Sequence, residues 1–222
     1  GVQIELAKLI PAASGLGGGS SNAAHVIKSL GALYDCRDPV GFDQIAKEIG
    51  SDISFFLDQK PALCKGKGDV LTPLPPMCLD IVVLNCGIRC LTKEAYSSIR
   101  PKDFTDGRRT DLLAQSFIEK DLDRVCSLMY NVFEPWARAN YPEVDSLFKT
   151  LQGDISTTDL NIIEGLTKPK CVMLAGSGSS VFGVYSDFSS ASHSAIALRR
   201  YYLERGENVM VECVRTLNGW KE

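Results

Sequence analysis

The stretch Pro11-Ala-Ala-Ser-Gly15-Leu-Gly17-Gly18-Gly19-Ser20-Ser21-Asn22-Ala-Ala24 constrains this chain more than any other feature. The alternation Val2-Gln-Ile-Glu-Leu6 predicts a strand leading in. Ala23, Ile27, Leu30 and Tyr34 fall on one apolar stripe and predict a helix leading out, starting near Ser20. Glycines lack a Cβ, so backbone amides can approach a ligand closely. The first N–H groups of a helix have no partner within it, and such an end attracts anions, phosphate above all. Ser20 and Ser21 add hydroxyls for a phosphate, and Ser20 one for a magnesium shell. Spacing excludes two common cradles. A P-loop needs Lys then Ser or Thr after the last glycine, where this chain has Ser20 and Ser21; a GxGxxG pattern starting at Gly15 needs glycine where Ser20 stands. The bland alternative is a flexible turn ahead of a capped helix.

Downstream, Phe42, Ile45, Ala46 and Ile49 predict a helix over 40–49, stopped by Gly50. Gly31 inside the first helix marks either close packing or an early end. Asp52-Ile-Ser-Phe-Phe-Leu is a short apolar segment led by an acid, and 62–71 predicts two strands around a glycine turn. Pro73-Leu-Pro-Pro76 breaks helix and ladder alike and is the expected domain boundary. Beyond it, strands are expected at 81–84, 171–174, 181–185 and 209–214, and helices at 112–130, 144–151 and 191–203. Residues 100–110 and 152–168 are expected to be loops. Strands and helices mix without steady alternation, which favours an α+β fold.

Composition removes some functions. Among 222 residues the net charge is -3 and charged residues make up 23%, so no nucleic-acid partner is expected. No apolar run is long enough for a membrane span, and the opening residues do not form a signal peptide. The eight cysteines contain no CxxC pair, which argues against a zinc ribbon and for free thiols in a reducing compartment. Cytoplasm or a plastid-type organelle fits that chemistry.

The pattern Pro11-x-x-x-Gly15-Leu-Gly17-x-x-Ser20-Ser21-x-Ala-Ala24 resembles the ATP-binding motif of the GHMP superfamily of small-molecule kinases. Its triple-glycine form is most similar to the members that act on a diphosphocytidyl-linked methylerythritol. The resemblance implies that Gly15, Leu16, Gly17, Gly18, Gly19, Ser20 and Ser21 wrap the phosphates of ATP, with Mg2+ as counter-ion. Gly50-Ser51-Asp52-Ile53-Ser54-Phe55-Phe56 resembles the family's Gly-Ala-Asp-Val-Pro-Phe-Phe, with Ser54 in place of proline. It implies that Asp52 is the catalytic base; on the residues alone, Asp52 reads as an N-cap.

Gly176-Ser177-Gly178-Ser179-Ser180 resembles the family's C-terminal loop, which implies substrate contacts from Gly176, Ser177, Gly178 and Ser179. The hairpin Ala62 to Leu74 and the stretch Gly87 to Tyr96 resemble the same branch. They imply that Thr92 and Tyr96 hold the substrate's base, Tyr96 by stacking. Asn131-Val-Phe-Glu134-Pro is similar to a family segment read as structural.

The implied fold is two-domain α+β: residues 1–76 as the later portion of a ribosomal S5 domain 2-like ATP-binding domain, and 77–222 as a ferredoxin-like domain. The resemblance covers nearly all of this chain but only the later part of the family's length. The family's phosphate-stabilising lysine, and an aromatic and a histidine that hold cytosine, fall ahead of Gly1, so residues upstream are expected. Lys8 is not assigned that role, and His25 and His193 are expected to be packed or solvated. The expected activity is ATP-dependent phosphorylation of the 2-hydroxyl of that cytidyl substrate in non-mevalonate isoprenoid synthesis, by a monomer or weak homodimer. The alternatives are another kinase of the superfamily, acting on homoserine, mevalonate or a sugar, and a non-catalytic nucleotide-binding relative or fragment.

Overall fold

The structure, a computed structural model, describes residues 1–154, 163 and 165–217. Three helices follow the opening segment: α1 (Gly18–Leu33), α2 (Pro39–Ile49) and α3 (Ile53–Asp58). Local chemistry starts α2 cleanly. Asp38 accepts from the Gly41 amide at 2.9 Å, Pro39 occupies the first turn, and Lys47 pairs with Asp43 at 2.7 Å. Gly31 does not end α1. A Cβ there would lie 2.4 Å from the Phe42 ring, so the glycine marks close packing of α2 on α1. Ala24, Ile27, Ala46 and Ile53 form a small core with Phe42, Phe56 and Leu57 packed around it. A hairpin of β1 (Ala62–Lys65) and β2 (Val70–Pro73) completes this part.

Residues 1–9 form no strand, a correction to the reading of 2–6. Alternation fixes which side chains share a face, but a strand also needs a neighbour's backbone. The β1–β2 hairpin pairs only with itself among the described residues, and Val2, Ile4 and Leu6 remain exposed.

The second part is a four-stranded antiparallel sheet of β3 (Asp80–Asn85), β4 (Cys171–Leu174), β5 (Val181–Tyr185) and β6 (Met210–Arg215), ordered β4-β5-β3-β6. Helices α4 (Thr92–Ser98), α5 (Arg108–Glu119), α6 (Leu122–Leu128), α7 (Glu134–Asn140) and α8 (Pro142–Gln152) lie in the chain between β3 and β4. Helix α9 (Phe188–Glu204) connects β5 to β6 and starts on Asp187, which accepts from the Ser190 amide at 2.8 Å. This is the ferredoxin-like order.

Both faces of the sheet are covered, which explains why β3 reads as an unbroken apolar run. Val82, Leu84, Leu174 and Val181 pack on Leu147, Phe148 and Leu151 of α8 and on Ala191, Ala195 and Leu198 of α9. Ile81, Phe182 and Val184 face the other way, onto Leu113 and Phe117 of α5 and Val125 of α6.

The helix read over 112–130 is broken. Lys120 turns left-handed at φ 56, and Asp121 restarts the chain by capping Arg124 at 3.0 Å. The loop read over 100–110 contains a short 3-10 turn at Pro101–Asp103 and gives way to α5 at Arg108. Helices α4 and α7, seven residues each, had no clear periodic signal. Most of the loop read over 152–168 lies outside the described residues.

Candidate active site

The glycine-rich stretch folds as a turn that delivers α1 end-on. Gly17 is the N-cap at φ 66, no side chain caps the helix, and its first turn carries no acid. The amides of Gly18, Gly19 and Ser20 are therefore left for an external acceptor. Gly15, at φ 76, lies against the backbone of residues 175–178; a Cβ there would stand 1.8 Å from the Ala175 carbonyl oxygen. The Ser180 amide donates to the Ser14 carbonyl at 3.0 Å. The two glycine loops, far apart in sequence, thus pack backbone against backbone.

A cleft of about 560 Å³ opens beside this junction. Pro11 to Ser20 form one wall, Asp52 another, and Thr92, Tyr96, Phe133, Gly176 and Ser177 the side contributed by the second part of the chain, with Lys8 also lining it. A second recess of about 370 Å³ shares Gly15 to Gly17 and Asp52 with it and runs toward Phe55, Phe56 and Cys64. A larger cavity, about 750 Å³, lies among α1, α2 and α3 and holds none of the expected site residues. Its walls set the apolar Phe42, Leu57 and Leu71 beside the charged Lys28, Arg37, Asp38, Asp43 and Asp58.

Asp52 occupies the N-cap position of α3, yet its side chain makes no capping bond. The carboxylate accepts from Ser51 Oγ at 3.3 Å and borders both recesses. The capping alternative thus lacks the bond that would define it. Phe56 fixes α3 to the glycine loop, its ring 2.6 Å from where a Gly17 Cβ would be. Burial, then the charge of Asp52, push the neighbouring Cys64 thiol above its ordinary range.

On the opposite wall, Thr92 Oγ1 and Ser177 Oγ are 3.0 Å apart. Tyr96 is 63% exposed and meets Phe133 edge-on, ring centroids 4.9 Å apart and planes at 62°. Behind the loop lies Cys90, fully buried, with its thiol pushed up to about 11 by burial first and by the charges of Cys86 and Glu94 second.

Most of the expected site residues therefore share one cleft, with three exceptions. Ser21 does not line it; its amide donates to the Gly17 carbonyl at 2.9 Å inside the helix turn. Gly178 is buried against Cys90 and Leu174. Ser179 is fully buried: its hydroxyl donates to the Ile88 carbonyl and accepts from Asn85 Nδ2 at 3.1 Å. A substrate contact from the Ser179 side chain is withdrawn on that ground. His25 and His193 each bond through Nδ1 to the carbonyl four residues back, at 2.8 Å, on exposed helix surface. The sequence reading missed Phe133 as a cleft residue; the aromatic two positions after Asn131 was its only signal.

Known proteins resemble this chain in sequence and in fold. Residues 1–66 match the GHMP kinases N terminal domain family. A 4-diphosphocytidyl-2-C-methyl-D-erythritol kinase of Thermotoga petrophila is 34% identical over 83% of this chain and 64% of its own length. One from Lachnospira eligens is 30% identical over 97% of this chain and 70% of its own. A crystal structure of a 4-(cytidine 5'-diphospho)-2C-methyl-D-erythritol kinase superposes with a TM-score of 0.69 at 29% identity, covering 94% of this chain and 69% of that one. A homoserine kinase from Cytophaga hutchinsonii, at 16% identity and a TM-score of 0.69, shares the fold. The chain spans 64% of the length of the Thermotoga relative and 66% of one from Geobacter.

Proposed function

The chain belongs to the GHMP kinases, within the branch of the 4-diphosphocytidyl-2-C-methyl-D-erythritol kinases, and from that premise we propose that it transfers the γ-phosphoryl group of ATP to the 2-hydroxyl of 4-diphosphocytidyl-2-C-methyl-D-erythritol. The observation that carries this reading is one cleft in which an uncapped helix start, the Asp52 carboxylate and the Tyr96 ring face a common volume.

In the proposed reaction, the amides at Gly18 to Ser20 hold the triphosphate and orient its terminal phosphorus toward Asp52. The 2-hydroxyl oxygen forms the new bond to that phosphorus while the bond to the ADP oxygen breaks. Asp52 takes the hydroxyl proton as general base. Phosphoryl transfer asks mainly for positioning and charge neutralisation, which such a wall supplies. Thr92, Ser177 and the backbone at Gly176 contact the diphosphate and ribose side, and Tyr96 stacks on cytosine.

Among the described residues no group of three acidic, histidine or cysteine side chains is placed to hold a metal. The donors fit a Mg2+ carried by the triphosphate, with the Ser20 hydroxyl as its protein contact. Bound there, the ion would neutralise charge on the transferring group. We place the domain boundary at 76/77. The separate core of α1 to α3 and the two cores flanking the sheet support it.

The test is ADP release from ATP by this chain with the cytidyl substrate, homoserine, mevalonate or a hexose as acceptor. Release with the cytidyl substrate alone is expected. Release with a different alcohol overturns the substrate assignment, and nucleotide binding without turnover on any acceptor overturns the activity.

A further inference from the structure

We infer that Phe133 is a positioning residue for the acceptor's base, acting through Tyr96 and held in place by Asn131; the inference rests on the proposed role of Tyr96. Tyr96 sits on α4, a helix of seven residues, and its ring is largely in solvent. An exposed ring on a short helix samples several rotamers, and stacking on a flat ligand then costs that freedom. The edge contact from Phe133 selects one orientation and leaves a face of Tyr96 toward the cleft that both rings line.

Phe133 can do this only if it is itself fixed: its ring packs partly buried against the main core, and Asn131 holds its backbone. Asn131 Oδ1 accepts from the Phe133 amide at 2.9 Å. Its Nδ2 donates to the carbonyls of Leu174 at 2.9 Å and Gly176 at 2.7 Å. Ser177, next in the chain, reaches Thr92 through the 3.0 Å hydroxyl contact, and Thr92 opens the helix that carries Tyr96. The contacts close a ring: Asn131, Gly176 and Ser177, Thr92, Tyr96, Phe133 and back. The ring locks the base-facing aromatic to the loop that faces the phosphates, so the two ends of an acceptor are read by one rigid unit.

Binding of cytidine diphosphate and of a non-hydrolysable ATP analogue tests this, with the whole chain as wild type and as Phe133→Leu, Phe133→Tyr and Tyr96→Ala. Phe133→Leu should weaken cytidine diphosphate about tenfold, the scale of an aromatic pair interaction. It should leave affinity for the ATP analogue unchanged, with the melting temperature lowered by no more than a few degrees because the ring packs partly on the core, and Phe133→Tyr should restore wild-type affinity. In turnover the same variant should raise KM for the cytidyl substrate while kcat holds. If Tyr96→Ala loses cytidine diphosphate but Phe133→Leu does not, Phe133 has no positioning role and the function proposed for the cleft stands. If the wild-type chain binds the ATP analogue but not cytidine diphosphate, the base-binding role of Tyr96 falls, and the role of Phe133 with it.

Discussion

Gly15 and Ala175 touch backbone to backbone: a methyl group at residue 15 would overlap the Ala175 carbonyl oxygen at 1.8 Å, and neither side is a flexible side chain that can move aside. Gly15 also needs φ 76, a conformation that costs alanine about 1–2 kcal/mol by itself. Gly15→Ala should therefore lose at least about 2 kcal/mol of stability. It should also part the two glycine loops, so that affinity for a fluorescent ATP analogue falls more than tenfold. Gly19→Ala is the control, because an added Cβ there meets nothing within 4 Å and sits inside α1. It should keep or raise the melting temperature. Equal stability of the two variants would contradict the junction as described.

Asp52 contributes no capping bond to α3, so removing its charge should not unfold the helix. Asp52→Asn should leave the melting temperature within a degree or two and nucleotide binding intact. Turnover should drop by about 10²–10⁴-fold, the range for loss of a general base. Single-turnover ADP release separates the two effects. A variant that melts early yet retains turnover per folded molecule would return Asp52 to a structural role.

Two serines in one loop should behave oppositely. Ser177 lines the cleft and its hydroxyl bonds to that of Thr92, so Ser177→Ala should raise KM for the acceptor with little change in stability. Ser179 is buried and bonded to Ile88 and Asn85, so Ser179→Ala leaves buried polar partners short of a bond and should cost about 1–3 kcal/mol. Its KM should stay at the wild-type value. Urea unfolding and acceptor titrations on both variants decide it.

The contrast between those serines shows where sequence stops being informative. The glycine loop was legible because its chemistry is local: glycines ahead of a helix start are written in consecutive residues, whereas the residues alone read Asp52 as an N-cap and only the family resemblance pointed elsewhere. Strands β3 and β5 were legible because both faces are buried, leaving an apolar run whichever face is counted. Which serine of a GSGSS loop turns inward depends on Asn85 and Ile88, on a different strand and its exit, and no spacing within the loop encodes that. The break at Lys120 was hidden because lysine carries no signature for a left-handed turn. Phe133 escaped notice for the same reason as Ser179, since its partner Tyr96 belongs to another element.

The junction of α7 and α8 supplies a pH test independent of the cleft. Asp145 accepts from Lys149 Nζ at 2.9 Å and from Arg138 Nε at 2.7 Å, with its side chain 23% exposed. Hydrogen bonds from Lys149 first and Arg138 second hold its carboxyl below the usual carboxylate range, against an opposing push from burial. Because the folded state releases this proton more readily than the unfolded chain, the stabilisation is complete above the unfolded value, about 4. It is lost as pH falls through the lower folded value. Asp145→Asn should thus cost about 1 kcal/mol at pH 7, a few degrees in melting temperature for a chain of this size. The gap to wild type should narrow as pH is taken from 5 toward 2. Thermal unfolding of both proteins across that range reads it directly, and a gap that stays constant would mean that Asp145 acts through shape and not through its charge.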